Sequence, residues 1–180
     1  MNYELQIKEW LFADDSMMGV LRAVRDLELP DCWIGAGFLR NKVWDELHNS
    51  QYRSLFDIDV IYFEEGGSEA EEHEQIARLK NRIPEGKWSV KNQARMHVRN
   101  GHSPYENCID AISFWPETAT AIAVRVTESD DLEFLAPYGF RDLFSLQIRK
   151  SPKASQQVFE ERSRKKNWKS YWMYLTYTSI

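Results

Sequence analysis

The sequence predicts a mixed α/β (α+β) fold in which helices flank a twisted mixed sheet. Three observations point there. Segments whose apolar residues recur at helical spacing alternate with short β-branched runs. Those runs, FDIDVIYF and TATAIAVRV foremost, read as strands bounded by turn residues. The 180 residues, 43% hydrophobic and 28% charged, suit one domain with a proper core. No linker, repeat or low-complexity tract interrupts them, so a single domain is expected over 1–180. Its N-terminal helices fall within 1–28, and a basic, aromatic C-terminal helix over 155–175 packs on it.

Each element has its own justification. Leu5, Ile7, Trp10 and Leu11, then Met17, Leu21, Val24 and Leu27, predict two helices over residues 3–28, or one broken near Asp14 to Ser16, with Ser16 placed to cap the second. Pro30 stops this run, and DCWIGAG gives a short strand entering a glycine-containing turn. FLRNKVWDELH (38–48) sets Leu39, Val43, Trp44 and Leu47 on one helical stripe. FDIDVIYF (56–63) is the second strand. EAEEHEQIARLKNRI (69–83) reads as a polar surface helix with Ile76, Leu79 and Ile83 inward, ended by Pro84 and Gly86. WSVKNQ (88–93) is a third strand, ARMHVRNG is mixed in pattern, and SPYENCIDAISFW (103–115) suits a helix opened by Ser103 and Pro104. TATAIAVRV and DLEFLAPYG form a hairpin across ESDD. RDLFSLQIRK gives a helical turn and a last strand, before a basic, aromatic-studded helix from Ser155 to Tyr174.

Composition narrows the function classes. A net charge of −5 gives no chain-wide sign of nucleic-acid binding, though it leaves room for a local basic patch. Cys32 and Cys108 lack CxxC spacing and suggest reduced thiols. The start MNYELQIKEWLFADD has neither the basic opening nor the apolar core of a secretion signal, and no apolar run is long enough to span a bilayer. The expected setting is cytoplasmic, away from membranes.

The chemistry rests on one order of features: strand, Gly-x-Gly turn, helix, and a strand with Asp-x-Asp. Gly35 and Gly37 let backbone amides approach a phosphate with no Cβ in the way, and the helix that follows presents its positive end. Arg40 lies in the first turn. Asp57 and Asp59 project from one face of their strand, about 7 Å apart along it, and repel each other unless a cation lies between them. Mg²⁺ prefers such hard oxygen ligands and is commonly shared with substrate phosphates. The reaction class implied is nucleotidyl transfer. Taken singly, the glycines also fit a plain tight turn and the aspartates an exposed strand edge, but Ile58, Val60, Ile61, Tyr62 and Phe63 leave little polar surface for an edge.

IGAGFLRNKVWD followed by FDIDVIYF resembles the nucleotidyltransferase fold. With WSVKNQARMHVRNG, WPETATAIAVRV and LAPYGFRDLF, the chain looks like a bacterial family of nucleotidyltransferase-like proteins, over roughly residues 5–170. Within the superfamily, GAGFLRN with DID is most similar to the head domain of CCA-adding enzymes and bacterial poly(A) polymerases. The resemblance implies that Asp57 and Asp59 bind Mg²⁺ as catalytic ligands, and that Gly35, Gly37 and Arg40 contact a nucleoside triphosphate. Many members add a third carboxylate from a later strand, where WSVKNQ carries Lys91 and Asn92. The CCA-adding head domain manages with the Asp-x-Asp pair. CCA-adding enzymes also carry helical neck, body and tail domains that hold tRNA, and nothing of that size follows the head-like region here, which argues against whole tRNA as the substrate.

The remaining candidates have two readings each. Lys91, Asn92, Gln93 and Arg95 suit triphosphate or base edges, or else form a solvated strand end. His97 and His102 have no carboxylate at metal spacing and read as surface residues. Glu117 is a helix N-terminal acid or a substrate group, and Thr118 and Thr120 cap or pair locally. Trp115 and Pro116 pack a turn, or the indole stacks on a base. Arg162 to Tyr174 holds five basic residues and four aromatics, a pattern that either binds single-stranded nucleic acid or packs its rings while Lys and Arg face water. Packing is favoured. The expected activity is Mg²⁺-dependent transfer of a nucleoside monophosphate from a triphosphate to an acceptor such as RNA or a small molecule. The alternatives are a non-catalytic nucleotide-binding or regulatory protein of the same fold, and a head domain that acts on RNA with a partner chain.

Overall fold

The computed structural model describes residues 2–50 and 57–178. Phe56, where the expected second strand begins, lies outside the described residues. Two helices open the chain, α1 (Tyr3–Phe12) and α2 (Asp15–Arg25). The break falls where the acidic pair predicts it, but the cap is Asp14 and not Ser16: the Asp14 carboxylate accepts from the Met17 amide at 3.2 Å.

The sheet joins β1 (Trp33–Gly35), β2 (Asp57–Tyr62), β3 (Lys87–Asn92), β4 (Ala123–Val126) and β5 (Leu132–Leu135) in the order β3-β2-β1-β4-β5. β2 and β3 run parallel, and the other pairs are antiparallel. This is the mixed sheet expected. The parallel pair needs a crossover, supplied by α4 (Glu69–Arg82), whose Ser68 and Glu71 form a reciprocal capping box. One sheet face packs Ile34, Ile58, Val60, Val90 and Val124 under α2 and under α3 (Gly37–Leu47), which contributes Leu39, Val43 and Trp44. On the other face Trp33, Ile61 and Ala123 meet Cys108 and Ile112 of a short helix, α6 (Cys108–Ser113). Two apolar faces explain why β2 reads as a nearly continuous apolar run.

Three boundaries differ from the sequence reading. ARMHVRNG belongs to a helix, α5 (Gln93–Asn100), capped by Asn92 and closed by left-handed Gly101. The helix expected from Ser103 is confined to α6, because the Asn107 side chain accepts from the Asp110 amide and starts it late. TATAIAVRV becomes strand only at Ala123, since Thr120 turns back onto Glu117.

After α7 (Arg141–Phe144) and β6 (Gln147–Ile148) the C-terminal segment is not one helix over 155–175. α8 (Gln156–Lys166) ends at left-handed Asn167, a 3₁₀ turn covers Trp168–Ser170, and β7 (Thr176–Tyr177) pairs in parallel with β6. Trp168 and Trp172 are buried against Trp44, whereas Tyr171 and Tyr174 remain exposed. Half of the aromatics therefore pack, as expected. Among the described residues no helix is long and apolar enough to cross a membrane.

Candidate functional site

Antiparallel pairing sets Gly35 opposite Asp59, so the glycine turn and the aspartate strand meet at one end of two interior strands. The reason for Gly35 is packing: a Cβ there would lie 2.5 Å from the Trp115 ring. Trp115 thus packs on the turn, as the first of its two readings had it. The turn residue with the unusual backbone is Ala36, at φ 48° and ψ −112°, a conformation that L side chains rarely adopt. It swings the chain into α3, whose first turn has no side-chain cap. A Cβ at Gly37 would make ordinary contacts, at 3.6 Å with the Arg40 guanidinium, 3.7 Å with the Asn41 amide and 4.0 Å with the Asp57 carbonyl. The structure therefore brings Gly35, Gly37, Arg40, Asp57 and Asp59 together.

The two aspartates share a face of β2, with Asp57 exposed and Asp59 half-buried. Burial and the neighbouring Asp57 carboxylate push the Asp59 carboxyl above its ordinary range, against a hydrogen bond from Ser89 of β3 and the more distant charges of Arg162 and Lys166. Among the described residues neither aspartate has an ion-pair partner within 4 Å. Two converging carboxylates in mutual repulsion, with a hydroxyl beside one of them, are a donor set that fits a hard divalent cation sharing its remaining positions with water or phosphate. No third His, Cys, Asp or Glu joins them among the described residues.

These carboxylates open into a cleft of about 670 Å³, within the range of small-molecule sites. Its walls carry Lys80, Lys87, Arg162 and Lys166 against Asp57, Asp59 and Glu85. Arg162 and Lys166 come from α8; the sequence marks them only as members of the basic, aromatic tail from Arg162 to Tyr174 and not as part of the aspartate site. The only signal for them is their i,i+4 spacing within a tail full of basic residues, which does not distinguish them from Arg164 or Lys165.

Arg40 is buried. Its Nε and Nη2 donate to Asn41 Oδ1 at 3.1 and 2.7 Å, and its guanidinium lies over the rings of Trp168 and Trp44 at 4.6 and 5.1 Å. Burial and the nearby Arg162 push its pKa down to about 9, partly offset by Glu117 and Asp59.

Lys91, Asn92 and Arg95 do not join this group. In the parallel register Asp59 sits beside Ser89, whereas Lys91 sits beside Ile61 and Asn92 beside Tyr62, at the opposite end of the strands. There Lys91 Nζ and Arg95 Nη2 hold the fully buried Glu72 at 2.8 and 2.6 Å, and the Asn92 amide donates to it at 3.0 Å. Gln93 is buried beside them. Elsewhere, the His97 and His102 rings contact Tyr105, and Thr120 pairs locally with Glu117 at 2.7 Å.

Comparisons with known proteins agree with this geometry. A family model described as nucleotidyltransferase matches residues 22–177. A solved structure whose description reads "The NMR structure of the protein reveals a CCA-adding enzyme head domain" is similar at a TM-score of 0.88 and 33% identity, over 98% of this chain and 96% of that one. Two structures of CCA-adding enzymes, an apo form and a complex with CTP, are similar at TM-scores of 0.59 and 0.55, each at 14% identity, and share the fold. The match covers 43% and 39% of those chains, so this chain spans less than half their length. No curated protein matches the sequence significantly.

Proposed function

We propose that this chain, which belongs to the nucleotidyltransferase family, transfers a nucleoside monophosphate from a nucleoside triphosphate to an acceptor nucleophile, using the face that bears Asp57 and Asp59. The observation that carries the reading is the pair of carboxylates, unpaired among the described residues, at the floor of a cation-walled cleft. Mg²⁺ held by Asp57 and Asp59 would polarise the α-phosphate and lower the pKa of an attacking hydroxyl. The uncapped first-turn amides of α3 and the Arg40 guanidinium beside Gly37 offer positive charge to the triphosphate.

The acceptor is proposed to be RNA or a small molecule. Exposed Tyr171 and Tyr174 beside Lys169 favour a nucleotide-bearing acceptor, whose bases stack on such rings. The lack of a third clustered carboxylate among the described residues favours a second reading, a protein that binds nucleotide and leaves it intact. Calorimetric titration with ATP, GTP, CTP and UTP, with and without Mg²⁺, tests both. Binding that requires Mg²⁺, disappears in the double variant Asp57→Asn, Asp59→Asn, and is accompanied by pyrophosphate release supports transfer. Binding without release supports the second reading, and no binding in any condition refutes both.

A further inference from the structure

The α8 side of the cleft carries a charge arrangement that neither the Asp-x-Asp strand nor the glycine turn explains. Glu117 is fully buried, accepts from Thr120 Oγ1 at 2.7 Å, and sits on backbone bridged to Lys150. Its carboxylate takes the Arg162 Nε at 3.1 Å. That contact uses the inner nitrogen of the guanidinium, and among the described residues the two terminal nitrogens make no hydrogen bond, on a side chain one-third exposed in the cleft. Trp168 lies against both Arg162, at 5.8 Å, and Arg40, at 4.6 Å, so one indole holds two guanidiniums close together. One helical turn beyond Arg162, Lys166 lines the same cleft and has no ion pair among the described residues, as is true of Lys80 and Lys87 on the facing wall.

Like charges are not gathered this way for stability. Arg40 and Arg162 repel each other, and that repulsion adds to the burial that lowers the Arg40 pKa. An arginine with its inner nitrogen fixed and its outer pair presented is pre-oriented to grip a phosphate bidentately. We propose that Arg162, positioned by Glu117, and Lys166 form a binding site for the leaving pyrophosphate, the β- and γ-phosphates of the substrate.

This rests on the nucleotidyl-transfer reading. With the α-phosphate at the aspartates, outer phosphates that follow the cleft meet its α8 side, which carries these cations. The acceptor oxygen forms its bond to the α-phosphorus as the bond from that phosphorus to the bridging oxygen breaks. The acceptor proton passes to solvent. The bridging oxygen departs with the electron pair as part of pyrophosphate, where Arg162 and Lys166 offset the charge it gains.

The test titrates the full chain with inorganic pyrophosphate and with a nucleoside monophosphate, each in Mg²⁺, for wild type, Arg162→Ala, Arg162→Lys, Lys166→Ala and Glu117→Gln. Arg162→Ala should weaken pyrophosphate about 10- to 100-fold and leave monophosphate affinity within about 2-fold. Arg162→Lys should restore part of the loss, and Glu117→Gln should weaken pyrophosphate without abolishing it. Lys166→Ala, which removes a side chain with no ion pair, gives a measurement if Arg162→Ala fails to fold, with an expected loss of about 3- to 10-fold. Pyrophosphate affinity unchanged in both Arg162→Ala and Lys166→Ala overturns the site, whatever the chain's activity. Pyrophosphate binding lost in these variants, in a protein that never turns over a triphosphate, upholds the site and refutes the transfer reading instead.

Discussion

The two ends of the parallel pair β2–β3 handle negative charge in opposite ways. At one end Glu72, fully buried, is surrounded by Lys91, Arg95 and the Asn92 amide. Burial pushes its carboxyl up, but those hydrogen bonds outweigh it and hold its pKa below the ordinary 4.5. At the other end Asp57 and Asp59 share a strand face without an ion-pair partner among the described residues, and the Asp59 carboxyl is pushed up. A carboxylate matched by its own chain contributes to folding. A pair left unmatched costs stability and is available to something from outside.

The largest effect expected from this contrast is catalytic. Asp57→Asn or Asp59→Asn should lower nucleotidyl transfer by about 10³-fold or more, in an assay of pyrophosphate release, while Glu72→Gln stays within about 3-fold of wild type wherever the protein is folded. Comparable losses at both ends would break the division. The next effect is on folding. Glu72→Ala removes a buried partner from two cations that are about one-third exposed, and urea denaturation should show a loss of about 2–3 kcal/mol. Because the Glu72 pKa is lowered on folding, its contribution is intact above pH 4.5 and disappears as pH falls through the lowered value. Acid unfolding of Glu72→Gln should therefore be shallower than that of wild type.

Gly35→Ala sharpens the account of the turn. With its new Cβ 2.5 Å from Trp115, it should cost about 1–3 kcal/mol in stability. If it lowers triphosphate affinity at unchanged stability, Gly35 serves the phosphate rather than the indole. The smallest effect has the opposite sign. Asp59 has a folded pKa above its usual 3.8, so the folded state gains stability as pH falls through that raised value and loses it as pH rises. At neutral pH without divalent ions, Asp59→Asn should melt about 2 °C above wild type, and added Mg²⁺ should stabilise only the wild type.

How much was legible beforehand follows from the range of the interactions. The alternation of elements, the break after α1, the stripe on α3 and the hairpin of β4 and β5 all come from local patterns, which a sequence displays directly. The meeting of GAGFLRN with DID was legible from the order of the two motifs and their resemblance to the nucleotidyltransferase head, because the connection between β1 and β2 contains all of α3 and does not itself set the register. Lys91, Asn92 and Arg95 looked like ligands because the residue that occupies them, Glu72, sits on the facing helix, in a segment whose other charges face water. Arg162 and Lys166 were hidden for a related reason. Selecting two cations from a basic run requires knowing which side of α8 meets the sheet, and Trp168 decides that through contacts with Trp44 and Arg40 far away in sequence. The left-handed Asn167 that ends α8 carries no glycine or proline to announce it.

The late position of α8, and the pairing of β7 with β6 that fastens the segment after it, bear on how the molecule is made. Translation delivers the aspartates and the α3 turn before Arg162, Lys166 and β7. A nascent chain thus holds its two repelling carboxylates with one wall of the cleft missing. The proposed polyphosphate grip therefore forms only once α8 has followed, so a chain cut before α8 has the Asp57–Asp59 face without the cations proposed to hold a triphosphate against it.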